Sequence, residues 1–172
     1  MRSEKTKRVA LLGLLFALSA VFSFLESMLT PFLGLPPGIK LGLANVVVMA
    51  ALLFLRRQDA VILIVLKSLF VLLTRGISAA ALSLGGGGLS LLVMIIISLG
   101  KSRPSLFILS VSGAVAHNIG QLLIVRFFMT HSMYTFYYLP VLLVSGLAMG
   151  SITAAVMKML IPPLERIGLK KD

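Results

Sequence analysis

The stretch Ala114-Val-Ala-His-Asn-Ile-Gly-Gln-Leu-Leu123 puts an imidazole and two carboxamides inside an apolar run long enough to cross a membrane. An unpaired donor or acceptor in hydrocarbon costs several kcal/mol, on the order of 2–7, so His117, Asn118 and Gln121 must face protein, water or a ligand. Their chemistry is directional hydrogen bonding. Two readings compete: contact with a ligand, or an interhelical hydrogen-bond cluster worth about 1 kcal/mol or less per bond. A metal centre is not expected, because His131 falls in a turn and carboxylates are scarce. The chain has no Cys, which excludes disulfides and thiolate chemistry.

The elements that must carry these groups follow from composition. Of the 172 residues, 59% are hydrophobic and only 12% charged, and the mean hydropathy is +1.09. A soluble domain has roughly 25% charged residues, so the class is an all-α integral membrane protein. At ~20 residues per span, the length allows one domain over residues 1–172, a bundle of about six helices. Helix 1 is expected from Val9 to about Leu25. It is too long for a signal-peptide core and lacks an A-x-A-like cleavage site. Prolines 31, 36 and 37 with Gly34 and Gly38 predict a loop from Thr30 to Ile39. Helix 2 follows from about Lys40 to Leu55 and helix 3 from about Ala60 to Ile77. The Gly-rich Ser78 to Gly88 reads as a loop or irregular entry into a helix 4 placed at Leu89 to Leu99. Helix 5 is expected from Ser105 to Phe128, and helix 6 from Leu139 to Leu160, ended by Pro162-Pro163.

The net charge of +11 is mostly a topology signal. The N-terminus, the turns at 56–57 and 101–103 and the C-terminal end hold twelve of the sixteen Lys and Arg residues. That bias puts both termini in the cytoplasm and leaves little reason to invoke nucleic acid. The cations left over are Lys40, Lys67, Arg75 and Arg126, with Glu26 as the one acid inside a span. Lys40 and Arg126 lie near helix ends, where a basic side chain can snorkel to the headgroups. Lys67 sits about 12 Å from the inner end of helix 3, beyond easy reach of either surface, and needs Glu26 or a ligand anion as partner. Along helix 3 a polar stripe of Lys67, Thr74 and Ser78, flanked by Ser68 and Arg75, is expected to line a cavity. Helix 5 is expected to divide in the same way. Gly113, Ala116 and Gly120 make a packing face, and His117, Gln121 and the more peripheral Asn118 make its polar neighbour.

Gly85-Gly-Gly-Gly88 is not a phosphate loop, since Leu89-Ser90 stands where Lys-Ser/Thr must follow. No nucleotide hydrolysis is expected of this chain. Gly13, Ala17 and Ala20 give helix 1 a smooth face suited to another helix, internal or in a partner subunit.

Three separated motifs then carry a resemblance. Lys40-Leu-Gly-Leu-Ala-Asn45, the stretch Gly85 to Met94 and Gly113-Ala-Val-Ala-His-Asn-Ile-Gly-Gln121, with Glu26-Ser27 before the proline loop, resemble the Gx transporter family, also called heptaprenyl diphosphate synthase component I. That family is similar to the substrate-binding S components of energy-coupling factor (ECF) vitamin transporters. The resemblance implies a six-helix S-component fold with a pocket opening outward. It also implies a transmembrane coupling subunit docked on Gly13, Ala17 and Ala20, and separate ATP-binding subunits that supply energy.

The expected function is therefore a substrate-binding subunit of the cell membrane for a small anionic or amphipathic solute. Its candidate ligand contacts are Glu26, Lys40, Asn45, Lys67, Arg75, His117, Asn118 and Gln121, with no cofactor. The alternative is a non-catalytic accessory subunit in prenyl diphosphate or quinone metabolism, or in membrane electron transfer. Synthase activity is not expected, because magnesium-diphosphate needs clustered aspartates and the chain has only Asp59 and Asp172.

Overall fold

The computed structural model describes residues 2–29, 32, 44–100 and 104–166. These form six α-helices: α1 (Arg2–Leu29), α2 (Asn45–Phe54), α3 (Arg57–Arg75), α4 (Ile77–Ser98), α5 (Leu106–Ile124) and α6 (Leu139–Arg166). A π-helical turn, Val125–Thr130, prolongs α5, and a 3₁₀ turn, Met133–Tyr138, leads into α6. Four segments are long and apolar enough to cross a membrane: Thr6–Met28, Ile77–Ser98, Leu106–Thr130 and Met133–Arg166. The protein is an all-helical membrane protein. The loop expected at Thr30 to Ile39 lies outside the described residues apart from Phe32, as do Lys40 and the turn at 101–103.

The bundle is built around α2. All ten of its residues are buried, and it packs against each of the other five helices. A helix that is apolar all round has no face for water, which is why Val46, Val47, Val48 and Met49 sit in the core. Ten residues rise only about 15 Å, half the thickness of a bilayer's hydrocarbon. Asn45, the first residue of α2, therefore lies deep inside the bundle.

Among the described residues two side-chain hydrogen-bonded contacts, Arg8 with Asp59 and Arg75 with Ser23, fasten α1 to α3. At the basic end, Arg8 donates to Asp59 through Nε at 2.8 Å and Nη2 at 2.5 Å, and Asp59 also accepts from the backbone N–H of Arg56 at 3.2 Å. At the opposite end the Arg75 guanidinium donates to the Ser23 carbonyl. Arg8 to Ser23 and Asp59 to Arg75 are nearly equal runs of helix, about 23 Å each, so the two helices lie parallel and in register. The buried face of α1 is the stripe Leu15, Ser19, Ser23 and Glu26, at helical spacing.

Only Gly76 separates α3 from α4. Its φ of 84° is open to glycine and strained for other residues, and it lets the two helices turn directly back on each other. The Gly-rich stretch is neither the loop nor the irregular entry expected from sequence: α4 begins at Ile77 rather than near Leu89, and the glycines lie in its middle. Glycine weakens an isolated helix in water, but within a membrane bundle it lets neighbouring backbones meet. A Cβ on Gly120 of α5 would stand 2.6 Å from the Gly85 carbonyl oxygen and 2.9 Å from the Gly86 Cα. On its other side α5 meets α6 in the same manner, with Gly150 against Val111 and the Ser110 hydroxyl donating to the Gly150 carbonyl at 2.7 Å.

Helix α6 also departs from expectation, continuing through Pro162 and Pro163 to Arg166. The prolines remove two donors from the last turns, and the carbonyls freed are those of Lys158 and Met159, both exposed residues at the basic end. Groups that can bond water there do not force the helix to stop.

A buried polar layer between the helices

Two groups of polar side chains meet inside the bundle. The first lies between α1 and α3, where Glu26 and Lys67 are buried and Arg75 is partly so. Glu26 lies within electrostatic reach of both cations, so one carboxylate faces two positive charges. The core-facing stripe of α3 is Leu63, Ile64, Lys67, Ser68 and Val71. Thr74, exposed and bonded to the carbonyl of Phe70, is not on that stripe, and Ser78 belongs to α4. The polar stripe expected from the helical wheel therefore shrinks to Lys67, Ser68 and Arg75, because the chain turns at Gly76.

The second set is buried on α4 and α5, and Asn45 of α2 is a further buried amide. Asn45 is 5% exposed and Gln121 is 2% exposed, yet none of the four polar atoms of their amides has a hydrogen-bond partner among the described residues. His117 is equally buried. Both His117 and Gln121 lie against Gly86, where a Cβ would stand 2.8 Å from His117 Cε1 and 2.9 Å from Gln121 Cγ. The binding face and the packing face expected for α5 are thus one interface, with α4 as the partner of both. The hydroxyls of Ser90 on α4 and Ser23 on α1 are also buried without partners. A hydrogen bond from Ser68 to Ser83 at 3.4 Å joins α3 to α4 near this depth.

Asn118 is placed elsewhere. Its Nδ2 donates to the Leu142 carbonyl at 2.9 Å and to the Ser145 hydroxyl at 3.1 Å, tying α5 to α6. Arg126 stacks over the Phe127 ring at 5.7 Å, away from the core. Lys40 lies outside the described residues. On α1, Gly13 and Ala17 are exposed, and a Cβ on Gly13 would meet nothing within 4 Å; Ala20 is partly covered.

At the basic end Asp59 is buried, and the hydrogen bonds from Arg8 hold its carboxyl below the usual carboxylate range, with the Arg56 backbone adding to the effect. This pair lies at the far end of α3 from Arg75. The pair gives no signal in the sequence, since its two members are 51 residues apart and Arg8 stands among cations that mark topology. Ser19, Ser23, Ser83 and Ser90 were missed as well, since a lone serine in an apolar helix gives no signal until its neighbours are known.

The model of one protein family, heptaprenyl diphosphate synthase component I, matches residues 15–160. The chain belongs to that family. The heptaprenyl diphosphate synthase component I match runs from α1 into α6, and it takes in Glu26, Asn45, Lys67, Arg75, His117 and Gln121. Of the sequence candidates only Gly13 falls outside it. No curated protein and no solved structure matches the chain.

Proposed function

We propose that this heptaprenyl diphosphate synthase component I protein is a membrane-embedded substrate-binding subunit, similar to the S components of ECF transporters, for a small anionic or amphipathic solute. One observation carries the reading: an amine and two carboxamides are buried in an apolar bundle, the amides with every polar atom unmatched. Structures that only need to fold satisfy such groups or dispense with them. Groups held in readiness at membrane depth fit a ligand. Lys67 and Arg75 would attract its anion, Glu26 would set their spacing or hold a ligand amine, and His117 would add a hydrogen bond.

The partners follow from what the chain lacks in sequence. It has no Lys-Ser/Thr after its glycine run, so energy would come from separate ATP-binding subunits through a transmembrane coupling protein in the cell membrane. The exposed faces of Gly13 and Ala17 support α1 as the docking surface. The family's name favours a second reading, an accessory subunit of a prenyl diphosphate synthase. Catalysis by this chain itself is disfavoured by its two isolated aspartates.

Native mass spectrometry of the gently extracted protein separates these readings. A bound small molecule together with a coupling subunit and an ATP-binding pair supports transport, and Lys67→Ala and His117→Ala should each release the small molecule. A stable complex with a soluble prenyl synthase alone, or a ligand retained by both variants, would sink the transport reading.

A further inference from the structure

We infer that the start of α2 is the point at which the ligand is read, and that the ligand presents there an adjoining N–H and C=O, the edge of a lactam or cyclic amide. This rests on the proposed binding function and names the chemical class it selects. Three observations converge. First, α2 is a half-length helix whose first residue is buried, so a helix N-terminus opens inside the bundle rather than at a surface. Among the described residues no side chain caps that terminus. Helix starts present unsatisfied N–H groups and a partial positive charge, and they attract an oxygen. A short half-helix whose positive end points into the bundle at mid-depth is a recurrent substrate site in membrane transporters.

Second, Asn45 stands at that terminus with both amide atoms unpartnered, and Gln121 on α5, which α2 touches, is in the same condition. A carboxamide offers one donor and one acceptor side by side, and its natural complement is a group with the same pair reversed. Asn and Gln recognise adenine in this bidentate way. A carboxylate or phosphate could use the two donors but would set its charge against the two amide oxygens. A hydrocarbon would use neither.

Third, the charged groups stand on α1 and α3, helices other than those that carry the two amides. The ligand that fits both is a small ring bearing an anionic substituent, its lactam carbonyl toward the α2 terminus and Nδ2 or Nε2 donors, its N–H toward an amide oxygen. Gly86 seats Gln121 directly on α4, since a Cβ there would stand 2.9 Å from its Cγ.

The test uses three acids of nearly equal size: benzoate, 6-oxo-1,6-dihydropyridine-3-carboxylate, which adds a lactam edge, and the N-methyl derivative of the latter, which keeps the carbonyl and loses the donor. Binding to the full chain in lipid nanodiscs is followed by saturation-transfer NMR, with thermal unfolding measured in parallel. The lactam acid is expected to bind at least tenfold more tightly than benzoate, about what one or two matched hydrogen bonds provide. N-methylation, Asn45→Leu and Gln121→Leu should each erase that advantage. The two Leu variants should unfold no earlier than the parent, because they remove unmatched polar atoms. Equal binding of the three acids, still dependent on Lys67, would overturn this inference and leave the anion site standing. Amide variants that unfold several degrees early would also overturn it, by making the amides structural. Failure of all three acids to show Lys67-dependent binding would remove the anion site and this inference together.

Discussion

Gly86 of α4 and His117 of α5 are so close that one added methyl would stand 2.8 Å from the imidazole Cε1. The imidazole is thus seated by a missing side chain on the opposite helix. Gly86→Ala should push against a side chain that can turn, so its main effect is expected on ligand binding. Gly120→Ala pushes against the backbone of Gly85 and Gly86, which cannot yield without separating the helices. The second variant should lose about 1–3 kcal/mol of stability, and the first distinctly less. Thermal unfolding of the two in the same detergent checks the order; the reverse order would contradict the packing described.

Gly88, two residues further along α4, is a control in the opposite direction. A Cβ there meets nothing within 4 Å, and the residue is exposed. Gly88→Ala should raise stability by up to about 1 kcal/mol through helix propensity alone. A measured loss would mean that this face of α4 is covered by something in the membrane.

Asn118→Leu breaks the tie from α5 to α6. The expected loss is roughly 0.6 kcal/mol and at most about 1.7, the average and the maximum for interhelical hydrogen bonds in a membrane bundle. Ligand affinity should remain unchanged, since the Asn118 Nδ2 is engaged by Leu142 and Ser145. A large affinity change with unaltered stability would return Asn118 to the ligand.

Asp59 gives a pH prediction. Its folded-state pKa is depressed, first by the hydrogen bonds from Arg8, so the pair's contribution is complete above the ordinary carboxylate pKa of ~3.9 and fades as pH falls through the folded value. Asp59→Asn should therefore cost roughly 1–3 kcal/mol at neutral pH and progressively less in acid. Unfolding curves at several pH values test this, and a cost that stays constant into acid would argue against the ion pair.

Composition alone conveyed the membrane class, because a chain with 12% charged residues cannot clothe a soluble surface. Helix starts and stops were less legible. Glycine and proline rules describe chains whose backbone competes with water, whereas at Gly85–Gly88 a facing helix supplies contacts that outweigh the poor propensity. At Pro162–Pro163 exposed carbonyls make the loss tolerable. Of the site, Lys67 and Gln121 stood out as polar groups in apolar runs. Whether their amides or charges were already engaged depended on pairs such as Asn118 with Leu142, 24 residues apart, which spacing does not reveal.

The two fastenings between α1 and α3 have a mechanical meaning. Pinned near both ends, about 23 Å apart, the two helices form a beam rather than a pair of sliding rods. A partner gripping the outer side of α1 would move α3, and Lys67 with it, as one piece. A tilt of α1 would then carry the buried cation of α3 along with it.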